Sequence, residues 1–112
     1  MPEQLRAIEG TTRGLELVSG KWTMLVIFEL NTGSKRPSEL HRALPGISAK
    51  MLTQTLRRLQ QHHLVRRAVH DTVPPQVEYT LTDHGRSLLE PLLGLCRWVD
   101  EHWPDLMGTT AA

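Results

Sequence analysis

Lys50, Thr53, Gln54 and Arg57 lie off the apolar stripe formed by Leu52, Leu56 and Leu59, whose spacings of four and three mark one face of a helix. Such side chains donate to phosphates and to base edges in a DNA groove. Lys50 suits a phosphate or a guanine. Gln54 can pair bidentately with adenine, and Arg57 reaches a phosphate or a base according to helix pitch. Ser48 is a good N-cap for this helix and can also donate to a phosphate. Arg36 and Arg42 precede and end the helix before it, where a backbone contact is natural. The competing reading of the basic side chains is the solvated face of an ordinary surface helix.

These residues need elements to hold them. Pro37 opens a short helix through Leu44, with Leu40 and Leu44 on its buried face. Pro45-Gly46-Ile47 is a turn. The Ser48 helix follows and stops near His62–His63, giving helix, three-residue turn, helix. Leu64–Val69 then has strand character. Val77, Tyr79 and Leu81 alternate with Glu78 and Thr80, which predicts a second strand with one buried face. Between the strands, Asp71–Gln76 contains Pro74-Pro75 and reads as a loop. His70, Thr72 and Gln76 flank its tip and could touch a minor groove, but this wing is less basic than one that relies on charge and its contribution is expected to be small. Arg66 and Arg67 are adjacent on a strand and point to opposite faces, so at most one faces DNA and the other is expected to pair with an acid.

Further elements frame this motif. Gln4–Ile8 reads as a turn of helix before Gly10, and Thr11–Val18 as a short helix with Leu15 and Val18 on one side. Gly20–Leu30 is apolar nearly all round and is expected to be a helix in the middle of the core, ending at a left-handed cap in Asn31-Thr32-Gly33. Thr82 caps a final helix with Asp83 in its first turn, and Pro91 should kink that helix. Gly108–Ala112 is expected to be a frayed tail.

The 112 residues fit one compact domain, 1–112, and the net charge is only +1. The charge is unevenly placed. Gly33–Arg67 holds eight basic residues against one acid, a local +7, whereas Glu78 to the end holds two against six, a local −4. One surface is cationic and suits nucleic acid or an acidic protein. No run is long and apolar enough to span a bilayer, and the N-terminus has no apolar signal segment, so a cytoplasmic location is expected.

The lone cysteine, Cys96, excludes an internal disulfide and any cysteine-cluster zinc site. His62 and His63 are adjacent and diverge on a helix. His41, His70, His84 and His102 show no ligand spacing, so no metal or other cofactor is expected. No nucleophile–histidine–carboxylate set and no glycine-rich phosphate loop stands out, which argues against an enzyme.

The pieces GKWTMLVIFEL, RPSEL, LPGISAKMLTQTLRRL, LVRRAV, VPPQVEYTLTDHG and the late Trp98 occur in order over about two-thirds of the chain. No single piece is specific, but the series resembles the HxlR-type winged helix-turn-helix transcriptional regulators of bacteria and archaea. The resemblance implies a mainly α (α+β) winged helix-turn-helix, with the motif at about 37–62 and the wing at about 64–81. It implies flanking dimerisation helices at about 4–18 and 82–103, and a homodimer on double-stranded operator DNA near a promoter. The Ser48 helix would enter the major groove and the hairpin would lie against the backbone. Leu5 and Ile8 would belong to the dimer interface. So would Leu88, Leu92, Leu95, Val99 and Trp103, which cannot all face a core already filled by the Trp22–Leu30 helix.

Many members carry a redox- or electrophile-sensing cysteine before the helix that leads into GKW. Here that stretch reads Ala7-Ile8-Glu9-Gly10-Thr11-Thr12, without one. Cys96 lies on the apolar face of the last helix, where a free cysteine behaves as a small hydrophobe. Two further readings stand beside an operator-binding regulator, expected to be a repressor. One is a winged-helix protein-interaction module whose basic face binds an acidic partner. The other, compatible with the first, adds a small-molecule effector between the apolar dimer helices.

Overall fold

The computed structural model describes residues 19–108 continuously and residues 3–4, 9–10, 13 and 16 before them. From Lys21 onward the order is α1 (Lys21–Leu30), α2 (Pro37–Ala43), α3 (Ala49–Gln61), β1 (Val65–His70), β2 (Gln76–Leu81) and α4 (Asp83–Leu106). The expected interface residues Leu5 and Ile8, the helical face of Leu15 and Val18, and most of the C-terminal tail lie outside the described residues. Gly10, read as a stop after the first turn, is itself helical.

The core is where the helical periodicities meet. Val26, Ile27 and Leu30 of α1, Leu40 of α2, and Leu52, Leu56 and Leu59 of α3 pack with Leu64, Leu81 and Leu89. The expectation that α1 is buried all round is corrected. Thr23, Val26, Ile27 and Leu30 are buried, while Trp22, Met24, Leu25 and Phe28 are only half-buried against the cluster. The helix is apolar on both faces: one is buried in the core, and the other packs against it while staying partly open to solvent. Its cap also differs from expectation. Asn31 stays right-handed (φ −64°, ψ −23°), and the reversal falls at Gly33, whose φ of 138° suits glycine.

β1 and β2 form an antiparallel hairpin in register from Val65 opposite Leu81 to His70 opposite Gln76. Gln76 therefore belongs to the strand and not to the loop. The expected one-sided burial of β2 is not seen: Leu81 is buried, but residues 77–80 are all half-buried. One reason is a third extended residue on the outer edge. Lys35 N–H donates to Tyr79 O at 3.0 Å, and Tyr79 N–H donates to Lys35 O at 2.8 Å. Ser34 Oγ and Thr80 Oγ1 are hydrogen-bonded at 2.7 Å beside this pair. The base of the hairpin is thus tied to the segment that leads into α2.

A second joint ties the end of α3 to α4. The Thr82 hydroxyl donates to His63 O at 2.5 Å and accepts from Gly85 N–H at 3.1 Å, while Thr82 N–H donates to Leu64 O at 3.0 Å. Thr82 is the expected cap of α4, and it also holds the turn after α3. α4 continues through Pro91 and Pro104 for 24 residues. Leu89 and Leu92 join the core. Leu92, at 4% exposure, is thus buried within the protomer, contrary to its expected place in an interface.

Candidate nucleic-acid interface

The two helices of the motif are started by different chemistry. Arg36 precedes Pro37, which stands at N1 with its fixed φ. Glu39 reaches back, and its Oε1 accepts from Arg36 N–H at 2.9 Å and from Arg36 Nε at 3.3 Å. The backbone N–H of Arg36 is the main reason the Glu39 carboxyl ionises below its ordinary 4.5, with the Arg36 and Lys35 charges adding and desolvation opposing. α3 begins at Ser48, whose Oγ accepts from Met51 N–H at 3.0 Å. Ile47 before the cap and Leu52 after it are both buried, as in a hydrophobic staple. Between the C-cap Leu44 and the N-cap Ser48 lie Pro45, Gly46 and Ile47, the three-residue turn the sequence suggests.

Burial divides α3 cleanly. Leu52, Thr55, Leu56 and Leu59 are buried, and Lys50, Thr53, Gln54 and Arg57 are exposed. Residues 50, 54 and 57 are four and three apart, so they share a face of the helix away from the core. Among the described residues, Lys50, Gln54 and Arg57 make no side-chain hydrogen bond, and neither Lys50, Arg57 nor Arg42 has a carboxylate within ion-pair distance. Thr53 differs. Its hydroxyl donates to Ala49 O at 2.9 Å, so the proton is engaged within the helix. Thr55, whose hydroxyl donates to Met51 O at 2.8 Å, is a buried member that the leucine stripe did not reveal.

A groove between α2 and α3 is lined by Ser38, His41 and Arg42 on one side and Ala49 and Thr53 on the other, over Leu52. Ser38 and His41 were missed by sequence reasoning. Ser38 lies three residues before His41 and four before Arg42, a helical spacing that could have found them. Arg36 stands apart from this group because Glu39 holds its guanidinium.

The wing candidates are brought to one hairpin tip, but two of them already have partners. His70 Nε2 and Glu78 Oε2 are 2.7 Å apart. Thr72 Oγ1 donates to Pro74 O at 2.7 Å. Gln76 is exposed at the start of β2. No lysine or arginine occurs between Arg67 and Arg86. Arg66 and Arg67 are both exposed, and contrary to expectation neither has a carboxylate within ion-pair distance among the described residues.

On α4, Leu88, Cys96 and Val99 are half-buried, while Leu95 and Trp103 are about half exposed at 50% and 52%. Trp98 and Leu106, which the sequence reading left out of the interface, are equally exposed and extend the same apolar surface. The Trp98 ring stacks on His102 with centroids 4.5 Å apart.

Comparison with known proteins places this architecture. The uncharacterized HTH-type transcriptional regulator YtcD of Bacillus subtilis (strain 168) is 45% identical over 96 residues, covering 86% of this chain and 76% of that one. A solved structure described as a MarR-family transcriptional regulator, from Enterococcus faecalis V583, superposes with a TM-score of 0.81 at 36% identity, over 96% of this chain and 94% of that one. The redox regulator HypR in its reduced form gives a TM-score of 0.80 at 34% identity, over 88% and 98%. The family model for the HxlR-like helix-turn-helix matches residues 17–107. Four helices, a two-stranded wing and this match agree with the motif series read from the sequence, and the chain belongs to the HxlR-like helix-turn-helix family.

Proposed function

We propose that this protein is a dimeric, sequence-specific DNA-binding transcriptional regulator that represses a nearby promoter in the cytoplasm. The family is one of helix-turn-helix regulators and not of enzymes. The observation that carries the finer reading is the exposed face of α3, where Lys50, Gln54 and Arg57 stand without internal partners opposite a buried leucine stripe. In the proposed complex α3 lies in the major groove. Lys50 and Arg57 contact phosphates or guanine, Gln54 reads an adenine, and Thr53 presents its methyl to a thymine. Ser48 and Arg42 flank the groove between α2 and α3 and contact the backbone. Arg36 contacts the backbone by exchanging Glu39 for a phosphate, since the Arg36–Glu39 pair itself carries no net charge. The wing, with His70, Thr72 and Gln76, contributes little charge.

The exposed apolar surface of α4, with Leu95, Trp98, Val99 and Trp103, supports a homodimer in which the N-terminal segment with Leu5 and Ile8 also takes part. Sensing through a cysteine before α1 has no residue to act on, because Cys96 is the one cysteine in these 112 residues. The test is a gel shift with the promoter region beside the protein's own gene. A discrete complex that resists random competitor DNA is expected, and its affinity should fall by roughly 10³–10⁵ between 50 and 200 mM salt if about 6–10 phosphates are neutralised. Absence of a specific complex, with retention of an acidic protein partner on the same face, would favour the interaction-module reading.

A further inference from the structure

The fold brings together three histidines that have no place in the DNA-binding face. His62 caps α3, His63 follows it, and His84 lies in the first turn of α4. The three line one shallow cleft of about 600 Å³, open to solvent, with Leu64 buried beneath it, Leu88 half-buried and Pro91 exposed at its edge. Ligand pockets fall in the range of about 300–1,000 Å³ and combine an apolar floor with a few polar groups.

The backbone under these rings is fixed. His63 sits at φ 59°, and its carbonyl accepts from the Thr82 hydroxyl. None of the three imidazoles makes a side-chain hydrogen bond among the described residues. Ser87, also on the lining, donates its hydroxyl to His84 O at 2.7 Å. No carboxylate lines the cleft. The two nearest in sequence are engaged elsewhere: Asp83 by Arg86 at 2.5 Å, with a smaller pull from His84, and Glu90 by Arg97 at 3.4 Å. Among the described residues no three His, Cys, Asp or Glu side chains are arranged to hold a metal ion.

We propose that this cleft binds a small apolar anion of the aryl or alkyl carboxylate class. The imidazoles supply N–H donors to the carboxylate, and Leu64, Leu88 and Pro91 take the apolar body. A ligand seated there touches both the end of α3 and the start of α4. The site lies beside the joint between these helices and not between dimer helices, where the sequence reading put an effector.

Proton–carbon NMR of the histidine rings tests this on the full chain, with benzoate as the probe and benzamide as its neutral counterpart. Benzoate is expected to shift the His62, His63 and His84 signals saturably and to leave His41, His70 and His102 unmoved. Benzamide at the same concentration should shift none. Combined His62→Gln and His84→Gln substitution should weaken benzoate about tenfold with an unchanged melting temperature. His41→Gln should leave the affinity unaltered. The proposal is overturned if benzoate moves none of the three rings, if benzamide moves them equally, or if the double variant folds and binds as before. It is also overturned if Zn²⁺ shifts all three rings and benzoate does not. No DNA is present, so failure here leaves the DNA-reading proposal standing.

Discussion

Gly85, in the first turn of α4, lies so close to the carbonyl oxygen of Leu64 that a Cβ on Gly85 would overlap it. The same Cβ would come within 3.0 Å of Leu81 Cδ2. This contact, with the Thr82 hydrogen bonds beside it, locks the end of α3 to the end of the wing and the start of the long helix. It gives a physical reason for glycine at the end of the LTDHG string.

Gly85→Ala should therefore lower stability by about 1–3 kcal/mol, because the neighbouring backbone must move to admit the methyl. Gly94→Ala, in the same helix but with nothing within 4 Å of the new methyl, should raise stability by about 0.5–1 kcal/mol. Urea unfolding of both variants checks the pair. Equal effects would mean that α4 does not approach Leu64 this closely.

The end of α3 makes a second prediction. His63 N–H donates to Gln60 O, and Leu64 N–H donates to Leu59 O, both at 3.0 Å. This is a Schellman ending in which the left-handed position is held by histidine and not glycine. His63→Gly removes the Cβ penalty and should stabilise the fold by about 1 kcal/mol, less the backbone entropy that glycine loses. A lower melting temperature in the glycine variant would count against the left-handed backbone at residue 63.

Acid should weaken α2 through Glu39. Its folded-state pKa is depressed below the ordinary 4.5, chiefly by the backbone N–H of Arg36. The ionised cap therefore adds stability above that ordinary value and loses it as pH falls through the folded-state value. Glu39→Gln should be less stable than the parent near pH 7, and the difference should shrink at low pH. Chemical denaturation across the acid range measures it. A difference that stays constant with pH would remove the charge from the explanation.

The homodimer can be tested on α4. Sedimentation at micromolar concentration should give about twice the chain mass of 12.7 kDa. Trp103→Asp, at an exposed position, should reduce this to the single-chain mass while helical content is retained. A 12.7 kDa species alone for the unsubstituted protein would contradict the proposed interface.

Much of this was legible in the sequence because it rests on short-range physics. The leucine spacing of α3, the Ser48 and Thr82 caps and Pro37 at N1 each depend on neighbours within a turn. The hairpin was legible from its alternating residues and paired prolines. What escaped depends on contacts far apart in the chain. The Lys35–Tyr79 pair joins residues with no shared periodicity. The half-exposed face of α1 is as apolar as its buried face, so composition cannot tell them apart. Leu92 and Leu95 have the same side chain, and only the direction in which α4 packs separates core from surface. Ser38 and His41 became candidates once α2 and α3 were seen to form a groove, and the His70–Glu78 contact was invisible until the hairpin register was known.

The central claim is that the Ala49–Gln61 helix reads base pairs through the face bearing Lys50, Gln54 and Arg57. The most direct measurement is the affinity of Gln54→Ala for the operator and for random DNA of equal length, at one salt concentration. Loss of a bidentate base contact should weaken operator binding by roughly 1–3 kcal/mol per half-site and leave random DNA nearly unaffected, so that the preference for the operator narrows. Equal weakening on both DNAs, or no change on either, would mean that Gln54 does not read a base and would contradict the placement of this helix in the major groove.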